Sequence, residues 1–176
     1  YFLPRIVGAS VASELLLTIA RGRSQSGKPG AAIADASTFL THFPDSPRRV
    51  EALAIKAQAQ AEQADKDSAV ATYRQILAMS PDDPGAMTAF ARFCAVNAAG
   101  LDEALAVATK AVEVTGGKDA DVLDALAEVH SARGEYDEAV ATGERALDAS
   151  PNRGDLRAKL ERFQELAVAA VRAKAH

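Results

Sequence analysis

Apolar residues recur along this chain at spacings of three and four positions, the period of a helix that buries one face. One such stripe lies between residues 120 and 132 and consists of Leu123, Leu126, Ala127 and His130. Another follows residue 154 and consists of Leu156, Leu160, Phe163, Leu166 and Ala170. The pattern predicts amphipathic helices at both places, and the second is well suited to cover the end of a helical array.

A helical segment with a fixed internal spacing occurs four times. In each copy an alanine lies 12 residues before a residue that ends helices, proline or glycine. The pairs are Ala32 and Pro44, Ala69 and Pro81, Ala104 and Gly116, and Ala139 and Pro151. Successive alanines are 37, 35 and 35 residues apart. Because another helical stretch precedes each copy, at residues 11–21, 50–62, 86–96 and 120–132, the sequence predicts four helical hairpins.

Small side chains are expected where the two helices of each hairpin cross, since they allow the backbones to approach closely. Ala127 and Ala139 are placed for this role in the last hairpin. The equivalent alanines of the other three are Ala20, Ala57, Ala91, Ala32, Ala69 and Ala104. Gly134 lies between the helices of the last hairpin, where the chain must reverse.

The last copy resembles a tetratricopeptide repeat (TPR) at nearly every signature position, namely Leu123, Leu126, Ala127, Gly134, Tyr136, Ala139, Ala146 and Pro151. The resemblance implies an all-α fold, a right-handed superhelix of antiparallel helix pairs. It divides the array, residues 11–153, into repeats at 11–46, 50–84, 86–118 and 120–153. Residues 1–10 are then an N-terminal extension or the stub of a preceding domain, residues 154–176 form a capping helix, and residues 24–30 are expected to lengthen the first turn.

Composition and charge narrow the classes of protein. Of 176 residues, 48% are hydrophobic and 5% aromatic, and about 40 are alanine, which favours close-packed helices. The net charge of -4 offers no basic stripe for a nucleic acid partner. The most apolar stretch, residues 6–20, is too short and too polar to span a membrane. The chain starts at Tyr1 rather than Met, which indicates a piece of something longer, and both the cytoplasm and a bacterial periplasm stay open as its location.

The candidate chemical motifs favour structural interpretations. Residues 22–29 read G-x-x-x-x-G-K followed by Pro29, but a phosphate-binding loop needs Ser or Thr there and a strand before it. We interpret this segment as a solvated turn and Cys94 as a buried core thiol. The histidines His42, His130 and His176 have no partner at metal-ligand spacing. We therefore expect no catalytic residue, no metal and no cofactor. The competing hypothesis is a nucleotide-binding enzyme that uses residues 22–29.

The TPR resemblance also implies a binding groove lined by the first helix of each pair. The groove residues that it assigns are Arg21, Glu51, Gln58, Glu62, Thr88, Arg92, Asp121, Asp124 and Glu128, and the further positions projected from the family are Glu14, Leu17, Ala54 and Val96. They predict a groove that is acidic at its C-terminal end, with Arg21 and Arg92 as isolated cations. The competing interpretation is that the three last carboxylates are a solvated face near a helix N-terminus, where acids suit the helix dipole.

The leading functional hypothesis is a non-catalytic scaffold that binds a peptide or helix of a partner protein, with a basic segment complementing the acidic end. The alternative is an accessory region of a larger enzyme or bacterial envelope assembly whose activity lies outside this chain. The Lys, Asn and Arg set with which co-chaperone TPR domains clamp a terminal carboxylate is not present at these positions. The sequence leaves a homo-oligomer open.

Overall fold

The computed structural model describes residues 8–174, and within that range it contains nine α-helices and no β-strand. The helices are α1 (Ala9–Gln25), α2 (Pro29–His42), α3 (Arg49–Glu62), α4 (Lys66–Met79), α5 (Pro84–Asn97), α6 (Leu101–Val114), α7 (Ala120–Arg133), α8 (Tyr136–Ala149) and α9 (Gly154–Lys174). The expected all-α class is confirmed. Most of the predicted N-terminal extension, residues 1–7, and His176 lie outside the described residues, and the repeat boundaries stay predictions.

Local sequence explains where several helices begin. Pro29 and Pro84 occupy first-turn positions of α2 and α5, where the missing N–H costs no hydrogen bond. At the start of α7, Asp119 accepts hydrogen bonds from the backbone N–H groups of Asp121 at 2.9 Å and Val122 at 3.2 Å. A side-chain cap of this kind stabilises a helix by about 1 kcal/mol.

The reversal within each hairpin uses a left-handed residue, which lies five positions before the crossing alanine in three hairpins and six positions before it in the third. Gly134 takes φ +79° and Gly27 takes φ +70°, whereas the second hairpin places Ala64 there with φ +60°. In the third hairpin Ala98 has φ +50°. The predicted reversal at Gly134 is confirmed, and two alanines hold a conformation that glycine adopts more easily.

The expected lengthening of the first turn is wrong. Helix α1 continues through Ser24 to Gln25, and only residues 26–28 separate it from α2. Ser24 is buried at 7% exposure, and its hydroxyl donates to the Glu62 carboxylate on α3 at 3.1 Å. The extra helical turn is thus held by a neighbouring helix, a contact that local sequence does not reveal.

The chain forms two compact units that divide at Met79 and Ser80. In the first unit, described from residue 8, α1 to α4 pack in succession, and α1 also lies against α3. The first helices of its two hairpins are therefore neighbours. Its core cluster consists of Leu17, Ala20, Ala36, Phe39, Ala52 and Ile55.

The second unit, described to residue 174, contains α5 to α9. Here α5 packs against α6 and α7, while α9 packs on α8. Phe163 of α9 is 1% exposed and joins Ala127 and Ala139 in one core cluster. A Cβ atom at Gly143 of α8 would lie only 3.3 Å from Leu160 and 3.4 Å from Phe163, so glycine allows α9 to approach closely. Helix α9 thus covers the last hairpin.

The alanine positions predicted at the helix crossings are confirmed. All eight are 0% exposed, namely Ala20, Ala32, Ala57, Ala69, Ala91, Ala104, Ala127 and Ala139. A larger side chain at any of them would overpack the core, which typically costs about 1 to 3 kcal/mol. These eight positions therefore account for part of the high alanine content.

Candidate interaction surface

The residues predicted to line the groove fall on the first helices of the hairpins, in two sets that we name by unit. The first-helix surface of the first unit consists of Arg21, Glu51, Gln58 and Glu62. The first-helix surface of the second unit consists of Thr88, Arg92, Asp121, Asp124 and Glu128. Leu17, also projected to the groove, is instead 0% exposed in the core, because its side chain points between α1 and its neighbours.

In the first unit, Glu51 pairs with two arginines. Arg21 reaches it from α1, and Arg48, just before α3, donates to it at 2.8 and 3.1 Å. The hydrogen bond from Arg48 is the main cause of the lowered pKa of the Glu51 carboxyl, and the charges of Arg48 and then Arg21 lower it further. The expectation that Arg21 is an isolated cation is wrong, because the packing of α1 on α3 brings Glu51 to it. Arg48 was not predicted, although its position three residues before Glu51 is a known spacing for an ion pair.

The other two predicted residues of this surface also contact each other. The Gln58 amide donates to the Glu62 carboxylate at 3.3 Å, and Glu62 in turn accepts from Ser24 on α1. The two helices are therefore joined at two levels, by Arg21 with Glu51 and by Ser24 with Glu62. This surface is polar, with Arg21 and Glu51 in an ion pair and the Glu62 carboxylate hydrogen-bonded to neutral groups.

The second unit contains a carboxylate that is almost fully buried. The Asp124 side chain on α7 is 3% exposed and lies 2.9 Å from the Arg92 guanidinium of α5. On its other side Lys159 of α9 donates to it at 2.7 Å. One carboxylate thus ties three helices together.

Asp121 and Glu128 extend this cluster along α7. Asp121 lies 3.3 Å from Arg92 and 3.2 Å from Arg153, and Glu128 lies 2.6 Å from Lys159. The hydrogen bond from Arg153 is the main cause of the lowered pKa of Asp121. Burial opposes the charge of Lys159, but hydrogen bonds to Asp124 and Glu128 outweigh it and raise the pKa of the ammonium group.

Two expectations about this end are corrected by the cluster. Arg92 is not an isolated cation, because it is paired with carboxylates of α7. The end is not an open acidic surface either, since Asp121, Asp124 and Glu128 each lie within 3.3 Å of a cation. The solvated-face interpretation also fails for Asp124, which is buried. Sequence reasoning missed Lys159, which lies beyond the repeats, and Arg153, the last residue of the last repeat, because both are more than 30 positions from their partners.

Thr88 is not brought into the cluster. Its hydroxyl donates to the Pro84 carbonyl of its own helix at 2.7 Å, a bond that threonines in helices commonly make. Thr88 therefore stays a groove residue by prediction alone.

Next to the ion cluster, the C-terminal ends of α5 and α7 and the middle of α9 enclose a cleft of about 310 Å³. We call it the α9 cleft, and its lining residues are Ala95, Val96, Glu128, Ser131, Ala132, Arg162 and Leu166. Val96 is 80% exposed, and the apolar side chains of Ala95, Ala132 and Leu166 line the same cleft. Val96 is a position that the family resemblance projected to the groove.

The residues that the sequence offered as candidates for catalysis or ligand binding lie in the core or at turns. Cys94 is 0% exposed, which confirms a core thiol, and residues 26–28 form the turn between α1 and α2. His130 is half-buried in the last hairpin, where its Nδ1 lies 2.7 Å from the Glu135 carboxylate. Within residues 8–174, His, Cys, Asp and Glu side chains form no group of three or more that could hold a metal ion. None of the helices described is long and apolar enough to cross a membrane.

Comparison with known families identifies the repeats. Two family models described as tetratricopeptide repeat match residues 17–84 and residues 122–157. Together they cover more than half of the chain, and the helical hairpins agree with them. The chain belongs to the tetratricopeptide repeat proteins.

Solved structures share this fold at low sequence identity. A tetratricopeptide repeat protein from Parabacteroides merdae ATCC 43184 has a TM-score of 0.77 at 17% identity, over 98% of this chain and 66% of that chain. MamA from Desulfovibrio magneticus RS-1 has a TM-score of 0.65 at 16% identity, over 93% and 95%. A structure described as MamA MSR-1 C2 gives 0.64 at 16% identity, over 93% and 91%. A search of curated proteins finds no significant match.

The family supports a role in protein–protein interaction. Tetratricopeptide repeats bind protein partners and are typically non-catalytic.

Proposed function

We propose that this chain is a non-catalytic interaction module that holds a peptide or a helix of a partner protein against its first-helix surfaces. The observation that carries the proposal is the arrangement of α5, α7 and α9. Their facing sides are joined through Asp124 and border the α9 cleft. A surface built from three fixed helices presents its side chains in one geometry, which reduces the entropy lost when a partner binds.

The ion cluster changes what the partner should carry. A basic segment bound to Asp124 or Glu128 would have to displace Arg92 or Lys159, and one bound to Asp121 would compete with Arg92 and Arg153. Exchanging one cation for another in this way adds little to the binding free energy. We therefore do not include a basic segment in the proposed partner for this surface. We expect the affinity to come from backbone hydrogen bonds and apolar contacts, not from ion pairs with carboxylates that are already paired.

Cys94 and His130 are residue types that often act in catalysis, but their positions in this fold favour a binding role for the chain. Cys94 is fully buried, so its thiol is not placed to attack a substrate. The imidazole of His130 lies against Glu135 at the turn between α7 and α8, and His130 is not among the residues that line the α9 cleft. Both side chains serve the packing of their hairpins.

The proposal can be tested by selecting a library of random 12-residue peptides against the immobilised chain and mapping the enriched peptides by NMR chemical-shift perturbation. We expect saturable binding that perturbs amides of α1 and α3, or of α5, α7 and α9. A scrambled version of each enriched peptide is the matched control. Absence of any saturable peptide, or perturbation confined to the second helices α2, α4, α6 and α8, would contradict the proposal.

A further inference from the structure

The α9 cleft has apolar walls and a partly charged rim. Val96 and Ala95 come from α5, Ala132 from α7, and Leu166 from α9. An exposed valine in a concave setting gains by contact with an apolar group that excludes water, at about 25 cal/mol per Å² buried. The cleft volume of about 310 Å³ is at the lower limit of ligand pockets, about 300 to 1,000 Å³, and suits one or two side chains.

The two charged residues at the rim differ in their partners. The Glu128 carboxylate lies 2.6 Å from the Lys159 ammonium group, and its side chain is only 15% exposed. Its charge is already compensated within the protein. A partner's cation would therefore compete with Lys159 for it.

Arg162 is the other charged residue, and no carboxylate within residues 8–174 forms an ion pair with it. Its side chain is exposed, and its guanidinium carbon lies 5.1 Å from the centre of the Phe163 ring, within cation–π range. Because Phe163 is buried in the core, this contact keeps the guanidinium close to the surface of α9. The rim thus offers one uncompensated positive charge beside an apolar floor.

Resting on the proposed function, we propose that the α9 cleft binds a partner segment in which a large apolar side chain is followed or preceded closely by an acidic residue. The apolar side chain fills the space between Val96, Ala132 and Leu166. The acidic side chain pairs with the Arg162 guanidinium, which suits a carboxylate because it presents two parallel donors. The partner segment is thus expected to carry a negative charge, not the positive charge of a basic segment.

The test uses peptides from the same random library, with binding measured by fluorescence anisotropy. Among peptides that perturb amides of α5, α7 and α9, we expect enrichment of an apolar residue within two positions of Asp or Glu. Val96→Asp and Arg162→Glu should each weaken these peptides about tenfold or more. Replacing the peptide's acid by Lys should weaken binding to the unaltered chain and restore it to Arg162→Glu.

Matched controls lie outside the cleft. Val114→Asp changes an exposed valine of α6, and Arg172→Glu changes an exposed arginine further along α9. Both should leave affinity unchanged, and circular dichroism should show equal helix content in all four variants. Enriched peptides that are basic, or that keep their affinity for Arg162→Glu, would overturn the inference while leaving the proposed function intact. Peptides that bind only to α1 and α3 would also overturn it, and absence of any peptide binding would remove the proposed function itself.

Discussion

The first-helix surfaces of the two units each contain an ion pair between two first helices, but the two pairs lie in different surroundings. In the first unit Arg21 and Glu51 join α1 to α3, and their side chains are 52% and 28% exposed. In the second unit Arg92 and Asp124 join α5 to α7, and the Asp124 side chain is 3% exposed. The main difference is α9, whose Lys159 closes over Asp124 from a third helix.

Burial therefore decides what each ion pair contributes. An exposed pair is screened by water and salt and is typically worth less than about 1 kcal/mol. A buried carboxylate has lost its hydration, so the structure depends on the cations that replace the water. The first surface is therefore stabilised mainly by the apolar core beneath it, while the second also depends on its ion cluster.

The largest expected effect tests whether the two cores are packed equally well. Phe39 and Phe163 are 0% and 1% exposed in their respective units. Phe39→Ala and Phe163→Ala should each lower the free energy of unfolding by about 3 to 5 kcal/mol, because both leave a cavity. Urea denaturation followed by circular dichroism measures this. A loss of less than 1 kcal/mol for either variant would show that its core is not close-packed.

The next effect separates the buried from the exposed ion pair. Asp124→Ala should lower the free energy of unfolding by about 2 to 3 kcal/mol, since it leaves Arg92 and Lys159 partly buried without their shared carboxylate. Glu51→Ala should cost less than about 1 kcal/mol. Repeating both in 1 M NaCl, where the Debye length is about 3 Å, should shrink the Glu51 effect more than the Asp124 effect. If both variants lost the same free energy of unfolding and responded equally to salt, burial would not distinguish the two ion pairs.

A smaller effect concerns acid. The folded-state pKa values of Glu51 and Asp121 lie below the ordinary values of 4.5 and 3.8. Such a carboxyl binds fewer protons when folded, so its contribution is complete above the ordinary pKa and is lost as the pH falls through the folded pKa. The melting temperature should therefore decrease as the pH is lowered below 4.5, and Glu51→Gln and Asp121→Asn should each make that decrease smaller. Thermal melts between pH 7 and pH 3 measure it, and a variant profile parallel to the original would refute the contribution of that carboxyl.

The smallest effect is a stabilisation at the hairpin turns. Ala64 in the first unit and Ala98 in the second have positive φ, so Ala64→Gly and Ala98→Gly should raise stability by about 0.5 to 1 kcal/mol. Ala71→Gly, an exposed position in the middle of α4, is the matched control and should lower stability by a similar amount. Urea midpoints measure all three. Destabilisation by both turn variants would mean that the turns are not strained.

The positions of the helices could be predicted from the sequence more fully than the contacts on the surfaces that the helices form. The crossing alanines, the turn at Gly134 and the buried Cys94 followed from spacing and residue type, because helix packing repeats with the same period in every hairpin. The extension of α1 to Gln25 did not follow, since it depends on the contact between Ser24 and Glu62. The charge at Asp124 was also misjudged, because its partner Lys159 comes from a helix outside the repeats.

The sequence by itself determined the helical hairpins, their number within the array and the family to which they belong. These properties depend on local periodicity and on small residues at fixed positions, which a single chain displays directly. Only the tertiary structure decided which charges are free to meet a partner. Arg92 is paired because α5 packs against α7, which carries Asp121 and Asp124, whereas Arg162 of α9 forms no ion pair within residues 8–174. Such long-range pairing leaves no periodic trace in the sequence.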